Sequence, residues 1–238
     1  MPSLIVARAL VVVPAYNEEE NILRLVRTLR ALPEHPDVLV VDDGTDRTAD
    51  LLREEQEHDR GVRLLKRSGK GGRGTAVLDG IAIGLQDGYD RIVEMDADFS
   101  HDPATLPALL RAADDRTIVI GSRYIRGSRI ENWPLGRRVF SRFANAYASL
   151  ILGIGIHDYT NGYRVYPRLA AQQIDRTRIR ASGYIVLSEI AWQLFRRGFR
   201  FTEVPMTFVN RARGTSNFSL REVTESLKAL WRIRFTNP

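Results

Sequence analysis

The sequence contains no cysteine, which excludes disulfide bonds, thiolate metal sites and cysteine nucleophiles. Long apolar runs are also missing: no stretch reaches the ~18 to 20 residues of a membrane-spanning helix. Residues 1–8 lack the charged-then-apolar layout of a secretory signal and lead directly into the first predicted strand. We therefore expect a soluble chain, or one that binds at a membrane surface, and a compartment compatible with a reducing cytosol.

The composition indicates one globular unit with a basic surface. The 238 residues are 44% hydrophobic and 27% charged, and the charges are spread along the chain instead of standing in blocks. This supplies enough apolar material for one sizeable core, so we predict a single domain over residues 1–238. The net charge of +6 favours anionic partners, which include nucleotides, nucleic acids and acidic membrane surfaces.

Short apolar segments alternate with helical patterns through the first half of the domain, residues 1–121. Strands are predicted at residues 8–13, 38–41, 62–65, 92–95 and 117–120, with a helix after each of the first four. This alternation is typical of an α/β fold with a doubly wound, mainly parallel sheet.

The second half, residues 122–238, has a different pattern. An irregular segment over residues 122–133 precedes a long predicted helix from Leu135 to Leu152. A loop, short strands, a further helix and a final amphipathic helix follow. We therefore predict a mixed, acceptor-binding half after a regular, nucleotide-binding half.

Two carboxylates one residue apart follow the predicted fourth strand. Asp96 and Asp98 end the apolar run 92–95, and Pro103 then opens a helical pattern over residues 105–110. In open α/β sheets, ligands bind at the carboxyl ends of strands, and carboxylate oxygens are the ligands that hard divalent cations prefer. The alternative is that these aspartates serve only as turn or cap residues.

Polar groups also follow the first and second predicted strands. Pro14-Ala15-Tyr16-Asn17-Glu18 ends the first strand, and Asp42-Asp43 ends the second. Asn17 is also predicted to cap a helix whose first turn is Glu18-Glu19-Glu20. An aromatic face and carboxylates suit the base and the ribose hydroxyls of a nucleoside. Three such strand ends on one edge of the sheet predict a nucleotide site there.

The segment from Gly69 to Gly74 reads G-x-G-x-x-G and lies between a predicted strand and a predicted helix. With an acidic residue about twenty positions further on, such a motif is typical of dinucleotide-dependent oxidoreductases. Here it follows the third strand instead of the first, and it leaves the paired aspartates without a role. The alternative is a flexible basic loop in which Lys70 or Arg73 lies near a phosphate.

Arginines cluster in the second half, at positions 123, 126, 129, 137, 138, 142, 211 and 213. Arg123 follows a strand end and Arg211 lies in a predicted loop, where a planar guanidinium could hold a phosphate. A nucleic-acid face would interleave aromatics with the basic residues, whereas Phe140, Phe143 and Tyr147 lie on the apolar stripe of a helix. We therefore expect no nucleic-acid partner. The stripe fits either core packing or an interfacial helix on anionic lipid.

With these residues in place, the chain resembles the dolichol-phosphate (polyprenol-phosphate) mannosyltransferases, inverting glycosyltransferases of family two with a GT-A fold. The resemblance covers nearly the whole chain. It rests on Val13-Pro14-Ala15-Tyr16-Asn17-Glu18, Val41-Asp42-Asp43-Gly44, Met95-Asp96-Ala97-Asp98, Gly121-Ser122-Arg123-Tyr124, Asn132-Trp133-Pro134, and Glu203-Val204-Pro205 with Phe208-Val209 and Arg211. The first three motifs occur across many nucleotide-sugar transferases, and the later ones are more specific to enzymes with a polyprenyl phosphate acceptor.

The resemblance implies metal-dependent transfer of mannose from GDP-mannose to a polyprenyl (dolichyl) monophosphate, by a peripheral enzyme on the cytoplasmic face of a membrane. It implies donor contacts from Pro14, Tyr16, Glu18, Val41, Asp43, Asp96 and Ala97. Asp98 would be the main ligand of Mg²⁺ or Mn²⁺, with Asp96 beside it. Asp98, Arg123 and Arg211 would be the catalytic residues, and Arg123, Arg137 and Arg211 would hold the acceptor phosphate.

Two positions depart from the pattern of these relatives. Ser100 stands where they often have a glutamine near the metal, and Asn217 stands where they usually have a lysine. A phosphate monoester is largely dianionic at neutral pH, so we assign no general base. Glu189 is either a site residue or, more commonly for a glutamate on a helix, a structural one.

Three other functions remain open. One is the same fold with UDP-glucose or another nucleotide sugar as the donor to a lipid phosphate. Another is a sugar-nucleotide pyrophosphorylase, whose chemistry requires a glycine-rich phosphate loop where this chain has Pro14-Ala15-Tyr16. The last is a non-catalytic module that binds a nucleotide or a membrane.

Overall fold

The computed structural model describes residues 7–69, 71–180, 183, 185–210 and 220–236. In these ranges the strands are β1 (Ala9–Ala15), β2 (Asp37–Asp42), β3 (Val62–Lys66), β4 (Arg91–Glu94), β5 (Thr117–Ser122), β6 (Arg129–Glu131), β7 (Arg164–Pro167), β8 (Arg200–Pro205) and β9 (Thr207–Val209). The helices are α1 (Ile22–Arg30), α2 (Thr48–His58), α3 (Arg73–Gln86), α4 (Leu106–Ala112), α5 (Leu135–Leu152), α6 (Arg168–Ala171), α7 (Ile185–Arg196) and α8 (Leu220–Thr236). Single turns of 3₁₀ helix cover Pro103–Thr105 and Arg176–Arg178.

Seven strands form one sheet in the order β3-β2-β1-β4-β7-β5-β8, and β6 pairs with β9 in a separate two-stranded sheet. Every neighbouring pair in the large sheet is parallel except those of β7, which runs antiparallel to β4 and to β5. The predicted α/β fold with a mainly parallel, doubly wound sheet is therefore confirmed. The second half supplies β7 and β8 to the sheet of the first half; that all 238 residues form one domain stays a prediction.

The strands of the large sheet are apolar on both sides because helices cover both faces. In β1, Leu10 and Val12 face the layer of α3, α5, α7 and α8, whereas Val11 and Val13 face the layer of α1, α2 and α4. All four side chains are fully buried. This burial explains why the strands read as continuous apolar runs and not as an alternating pattern.

Two local predictions were wrong. Residues 122–133 are not wholly irregular, because Arg129–Glu131 pair with Thr207–Val209 as a short parallel ladder. Three residues with exposed ends carry too weak a pattern to be recognised as a strand. The three glutamates after Asn17 also do not form the first turn of α1, which begins at Ile22 after a hydrogen-bonded turn.

Within the described ranges, no helix combines the length and the apolar character needed to cross a bilayer. The long helix α5 begins and ends where the sequence predicts, at Leu135 and Leu152. It closes on Gly153, whose φ of 64° is the left-handed conformation that commonly ends a helix.

Candidate active site

The carboxyl ends of β1, β2 and β4 lie side by side and bring the predicted polar groups to one edge of the sheet. Ala15 is in register with Asp42 across β1 and β2, and Val12 is in register with Glu94 across β1 and β4. The backbone N–H of Asp43 also donates to the Ala15 carbonyl at 3.0 Å. The structure thus brings together the three strand ends that the sequence predicts.

Asp42 and Asp43, at the carboxyl end of β2, are each paired with a basic residue at the carboxyl end of β3. Asp42 is fully buried and accepts a hydrogen bond from Lys66 Nζ at 2.8 Å. Asp43 accepts two from Arg67, from Nε and Nη2, each at 2.5 Å. Partial burial raises the pKa of Asp43, but the hydrogen bonds and charge of Arg67 outweigh it, so that the pKa lies below its usual value. Asp43 is therefore a carboxylate at neutral pH.

The turn after β2 folds tightly against the turn after β1. The Asn17 side-chain oxygen accepts from the backbone N–H of Thr45 at 2.8 Å, and Asn17 itself has a φ of 58°. A Cβ atom at Gly44 would lie 2.6 Å from the Asn17 nitrogen, so only glycine allows this approach. Asn17, predicted as a helix cap, instead joins two loops of the site.

Asp96 is held by an arginine from the glycine-rich segment. Arg73, the first residue of α3, donates from Nε to Asp96 Oδ1 at 2.8 Å, and its Nη1 lies 2.6 Å from Glu94 Oε1. Burial raises the pKa of Glu94, against the charges of Arg73 and Arg164. The predicted helix at the end of the glycine-rich segment is confirmed. Its first residue, Arg73, supplies a positive charge to the acidic sheet edge, by which we mean the carboxylates of Asp42, Asp43, Glu94, Asp96 and Asp98 at the carboxyl ends of β2 and β4.

His101 fixes the backbone of the loop that carries Asp96 and Asp98. It is fully buried, and its Nδ1 accepts from the Asp96 N–H at 3.1 Å while its Nε2 lies 2.7 Å from the Asn161 side-chain oxygen. The ring stacks on Tyr163 with 5.2 Å between centroids. Burial lowers the pKa of His101, which fits a neutral ring that accepts at Nδ1 and donates at Nε2.

Asp98 lies in the same loop, partly exposed, and accepts from the backbone N–H of Ser100 at 3.0 Å. In the described ranges, no three His, Asp or Glu side chains come together as a metal cage. A magnesium-like ion is commonly held by one or two carboxylates together with substrate phosphates. The pair Asp96 and Asp98 fits that kind of site, in which a bound diphosphate supplies the remaining ligands.

Arg123 occupies a separate pocket in the second half. It follows β5, and its side chain donates to both oxygens of Asp158, from Nε at 2.8 Å and from Nη2 at 2.7 Å. Burial raises the pKa of Asp158, but the charge and hydrogen bonds of Arg123 hold it below the usual value. The guanidinium carbon also lies 5.4 Å from the Trp133 ring centroid and 5.2 Å from that of Phe208. The predicted phosphate ligand is thus held rigidly by a buried carboxylate and aromatic faces; its phosphate role stays a prediction.

Arg137 lies at the rim of this pocket. Its guanidinium carbon is 4.5 Å above the Trp133 ring, and its Nη1 donates to the Asn210 side-chain oxygen at 3.2 Å. Trp133 donates to the same oxygen at 3.1 Å. Asn210 is the last described residue before Arg211, so the predicted role of Arg211 falls outside the described residues, as does that of Asn217.

The other predicted donor residues lie near the sheet edge in different environments. Tyr16 is 47% exposed, which suits a stacking surface for a base. Glu18 is partly exposed and accepts from Asn21 at 3.0 Å. Pro14 is partly buried, whereas the side chains of Val41 and Ala97 lie in the core, so their ligand contacts would come from backbone atoms.

Several residues of this region escape sequence reasoning. Asp158 and Asn161 lie in a loop with no local pattern, and their partners Arg123 and His101 are far away in sequence. Of these residues, His101 alone has a local signal, since it lies shortly after Asp98 in the sequence. Glu189 is buried and accepts from the Arg180 backbone N–H at 3.1 Å, which is a structural contact.

The fold and the acidic sheet edge can be compared with known proteins. The family model described as "Glycosyl transferase family 2" matches residues 10–175, which run from the second residue of β1 through β7 and include the aspartates at the strand ends. The chain belongs to glycosyl transferase family 2. The predicted family is confirmed. The alternative function suggested by the glycine-rich segment, that of a dinucleotide-dependent oxidoreductase, is excluded.

Two family 2 relatives are similar over most of their length. Polyprenol monophosphomannose synthase from Mycolicibacterium smegmatis is 40% identical over 233 residues, which are 95% of this chain and 88% of the relative. Undecaprenyl-phosphate mannosyltransferase from Micrococcus luteus is 42% identical over 214 residues, 89% of this chain and 88% of the relative. The chain is therefore a glycosyltransferase similar to polyprenyl-phosphate mannosyltransferases.

The family 2 fold is also shared with a solved structure. Glucosyl-3-phosphoglycerate synthase from Mycobacterium tuberculosis, in complex with Mn²⁺, UDP and glucosyl-3-phosphoglycerate, superimposes with a TM-score of 0.65 at 21% identity. The match covers 97% of this chain and 79% of that chain. At this identity the similarity supports the GT-A fold only.

Proposed function

We propose that this chain transfers mannose from GDP-mannose to the phosphate of a polyprenyl monophosphate, with inversion at the anomeric carbon. One observation carries the proposal: a continuous chain of hydrogen bonds joins the acidic sheet edge to the arginine pocket. It runs from the Asp96 N–H through His101 and Asn161, whose N–H donates to Asp158 at 3.1 Å, to Arg123. A donor site and a phosphate site are thereby held in fixed relation, as a direct transfer requires.

The acidic sheet edge supports binding of a nucleoside diphosphate sugar. Tyr16 offers an exposed ring for the base, and Asp43 offers a carboxylate for ribose or base donors. Asp96 and Asp98 would hold Mg²⁺ or Mn²⁺ together with the diphosphate. When bound, this ion would stabilise the negative charge of the departing nucleoside diphosphate.

The second half supports binding of the acceptor phosphate. An oxygen of the acceptor phosphate would attack the anomeric carbon as the bond from that carbon to the nucleoside diphosphate breaks. The acceptor is already anionic, so no residue has to remove a proton. Arg123, Arg137 and Arg211 would orient the phosphate and offset its repulsion from the donor. The buried contact with Asp158 keeps the Arg123 guanidinium in place for this role.

The surface of α5 and α8 supports contact with the anionic membrane that would carry a polyprenyl acceptor. Leu135, Val139, Phe143 and Leu150 form a stripe on α5, and each is at least 60% exposed. On α8, Trp231 and Phe235 are 49% and 69% exposed. Trp231 Nε1 donates to Tyr147 OH at 2.6 Å, which brings this pair of rings beside α5.

Basic residues border the exposed apolar side chains of α5 and α8. Arg142, Lys228 and Arg232 are exposed on the same two helices. Apolar side chains flanked by lysine and arginine are typical of helices that lie in the interface of anionic bilayers. The apolar side of α5, which the sequence left open between core packing and a membrane interface, is therefore assigned here to a lipid surface. We propose that this surface is the cytoplasmic face of the membrane.

The function is tested by transfer of radiolabelled sugar to a short polyprenyl phosphate, from GDP-mannose and in parallel from UDP-glucose, with magnesium and with chelator. We expect magnesium-dependent labelling of the lipid from GDP-mannose. Labelling from UDP-glucose alone would overturn the donor but keep the acceptor and mechanism. Labelling from neither donor, with nucleotide binding retained, would favour the non-catalytic module.

A further inference from the structure

Arg73 occupies the place between Glu94 and Asp96 that a cation near the carboxylate motif would approach. Its Nη1 lies 2.6 Å from Glu94, and both Nε and Nη2 lie within 2.8 Å of Asp96 Oδ1. We infer that Arg73 is a positioning residue that acts as a built-in counter-cation: it holds Asp96 and lowers the affinity of the Asp96–Asp98 pair for a divalent cation. This inference rests on the proposed metal site.

The structure around Arg73 is shaped to accept its guanidinium. A Cβ atom at Gly162 would lie 1.9 Å from Arg73 Nη2 and 3.1 Å from Glu94 Oε1, so a side chain there would compete with the guanidinium. Gly72 enters α3 with a φ of 87°, a conformation that favours glycine. The positive φ of Gly72 and the close approach of Arg73 to Gly162 thus give each of these two positions a physical reason to be glycine.

The charges around Arg73 determine how its contacts with Glu94 and Asp96 affect the binding of a divalent cation. Glu94 is 1% exposed and Asp96 is 21% exposed, and both lie against the positive charge of Arg73, while Glu94 also feels the charge of Arg164. A divalent ion at Asp96 and Asp98 would be repelled by the guanidinium at close range, and such repulsion is strong where water is scarce. A donor diphosphate would bring negative charge that offsets this repulsion. We therefore expect the metal to bind weakly alone and to enter with the donor.

The test is a titration of the purified protein with MnCl₂, in which free Mn²⁺ is measured by electron paramagnetic resonance. Arg73→Gln is expected to bind Mn²⁺ about tenfold more tightly than the unchanged protein, a factor that corresponds to about 1.4 kcal/mol. Arg73→Lys keeps the charge and should bind as the unchanged protein does. Gly162→Ala keeps Arg73 but displaces its guanidinium, and should tighten Mn²⁺ binding in the same direction.

Arg91→Gln is the matched control for loss of one positive charge. Arg91 lies at the far end of the same strand β4 and pairs with Asp115 at 3.1 Å. Mn²⁺ affinity that is unchanged or weaker in folded Arg73→Gln, or raised equally in Arg91→Gln, would overturn the role of Arg73. Circular dichroism establishes that each variant is folded.

The metal site itself is tested separately by Asp98→Asn in the same titration. Loss of Mn²⁺ binding in Asp98→Asn, without any change in Arg73→Gln, overturns the counter-cation and keeps the proposed metal site. Binding in Asp98→Asn equal to that of the unchanged protein overturns the metal site on which the proposed function depends.

Discussion

The acidic sheet edge and the arginine pocket are built on the same plan with opposite charges. At the sheet edge, carboxylates follow the strands, and basic residues from one segment support them: Lys66 holds Asp42, Arg67 holds Asp43, and Arg73 holds Asp96. In the pocket, the roles are reversed, because the carboxylate of Asp158 supports Arg123. Carboxylates supported by cations form one region, and a cation supported by a carboxylate forms the other.

The difference in burial indicates how each region works. The side chains of Arg123 and Asp158 are 6% and 0% exposed, whereas Asp96 is 21% exposed. A buried charge without a partner is costly, so the pocket depends on its ion pair for structure. At the sheet edge, Asp96 is partly open to water and can exchange the Arg73 cation for a ligand cation at a smaller cost. We therefore expect changes at Asp96 and Asp98 to affect activity, and changes in the pocket to affect folding as well.

The largest expected effect is on the transfer rate, after a change at the acidic sheet edge. Asp98→Ala should lower magnesium-dependent transfer about a thousandfold or more, because leaving-group stabilisation by a metal supplies several kcal/mol. The unfolding midpoint should stay close to that of the unchanged protein, since Asp98 is partly exposed. Transfer rates and thermal melts measure the two quantities. Full activity of this variant with magnesium would remove the metal assignment and with it the contrast.

The next effect is on the pocket side. Asp158→Asn should lower the free energy of unfolding by about 3 kcal/mol, because it leaves the Arg123 charge buried without a counter-charge. The pKa of Asp158 is lowered, so its contribution is present above the pKa of the unfolded aspartate, about 3.9, and is lost as pH falls through the folded value. Urea unfolding at neutral and acid pH measures the difference in free energy of unfolding between the variant and the unchanged protein. This difference should shrink as the pH falls below the pKa of the unfolded aspartate.

Asp50→Asn is the matched control for the pocket. Asp50 pairs with Arg53 at 2.6 Å, but the two side chains are 64% and 57% exposed. Exposed pairs contribute about 0 to 1 kcal/mol, so this variant should unfold almost as the unchanged protein does. Equal destabilisation by Asp158→Asn and Asp50→Asn would mean that the pocket does not depend on its buried ion pair.

The sequence predicts the regular half well because most of its strands are continuous apolar runs that end in turn residues. β5 begins at the predicted Thr117, and α5 has its predicted bounds. The three polar strand ends could be predicted to meet because the carboxyl ends of parallel strands share an edge. Local patterns of apolar and polar residues are therefore sufficient to predict the strands of this half and the edge at which their polar ends meet.

The support of the site could not be predicted in the same way. Arg123 and Asp158 are 35 residues apart, and nothing near either residue indicates the other. The partner of Asp96 was also missed, since Arg73 was interpreted as a residue near a phosphate. β6 has only three residues, and its partner β9 lies far along the chain. Such contacts follow from the tertiary fold and leave no periodic signal in the sequence.

The smallest expected effect concerns the exposed apolar side chains of the two regions. The sheet edge exposes Tyr16, whereas the second half exposes the α5 stripe of Leu135, Val139, Phe143 and Leu150. Phe143→Ser should weaken binding to vesicles that contain phosphatidylglycerol by about tenfold, because burying part of an aromatic side chain contributes about 1.5 kcal/mol. Vesicle sedimentation measures the change. Leu169→Ser is the control: Leu169 is 49% exposed on α6, outside the stripe. If both variants lose vesicle binding equally, or if Phe143→Ser loses none, the α5 stripe does not contact lipid. The contrast between the two regions would then be limited to their charges and the burial of those charges.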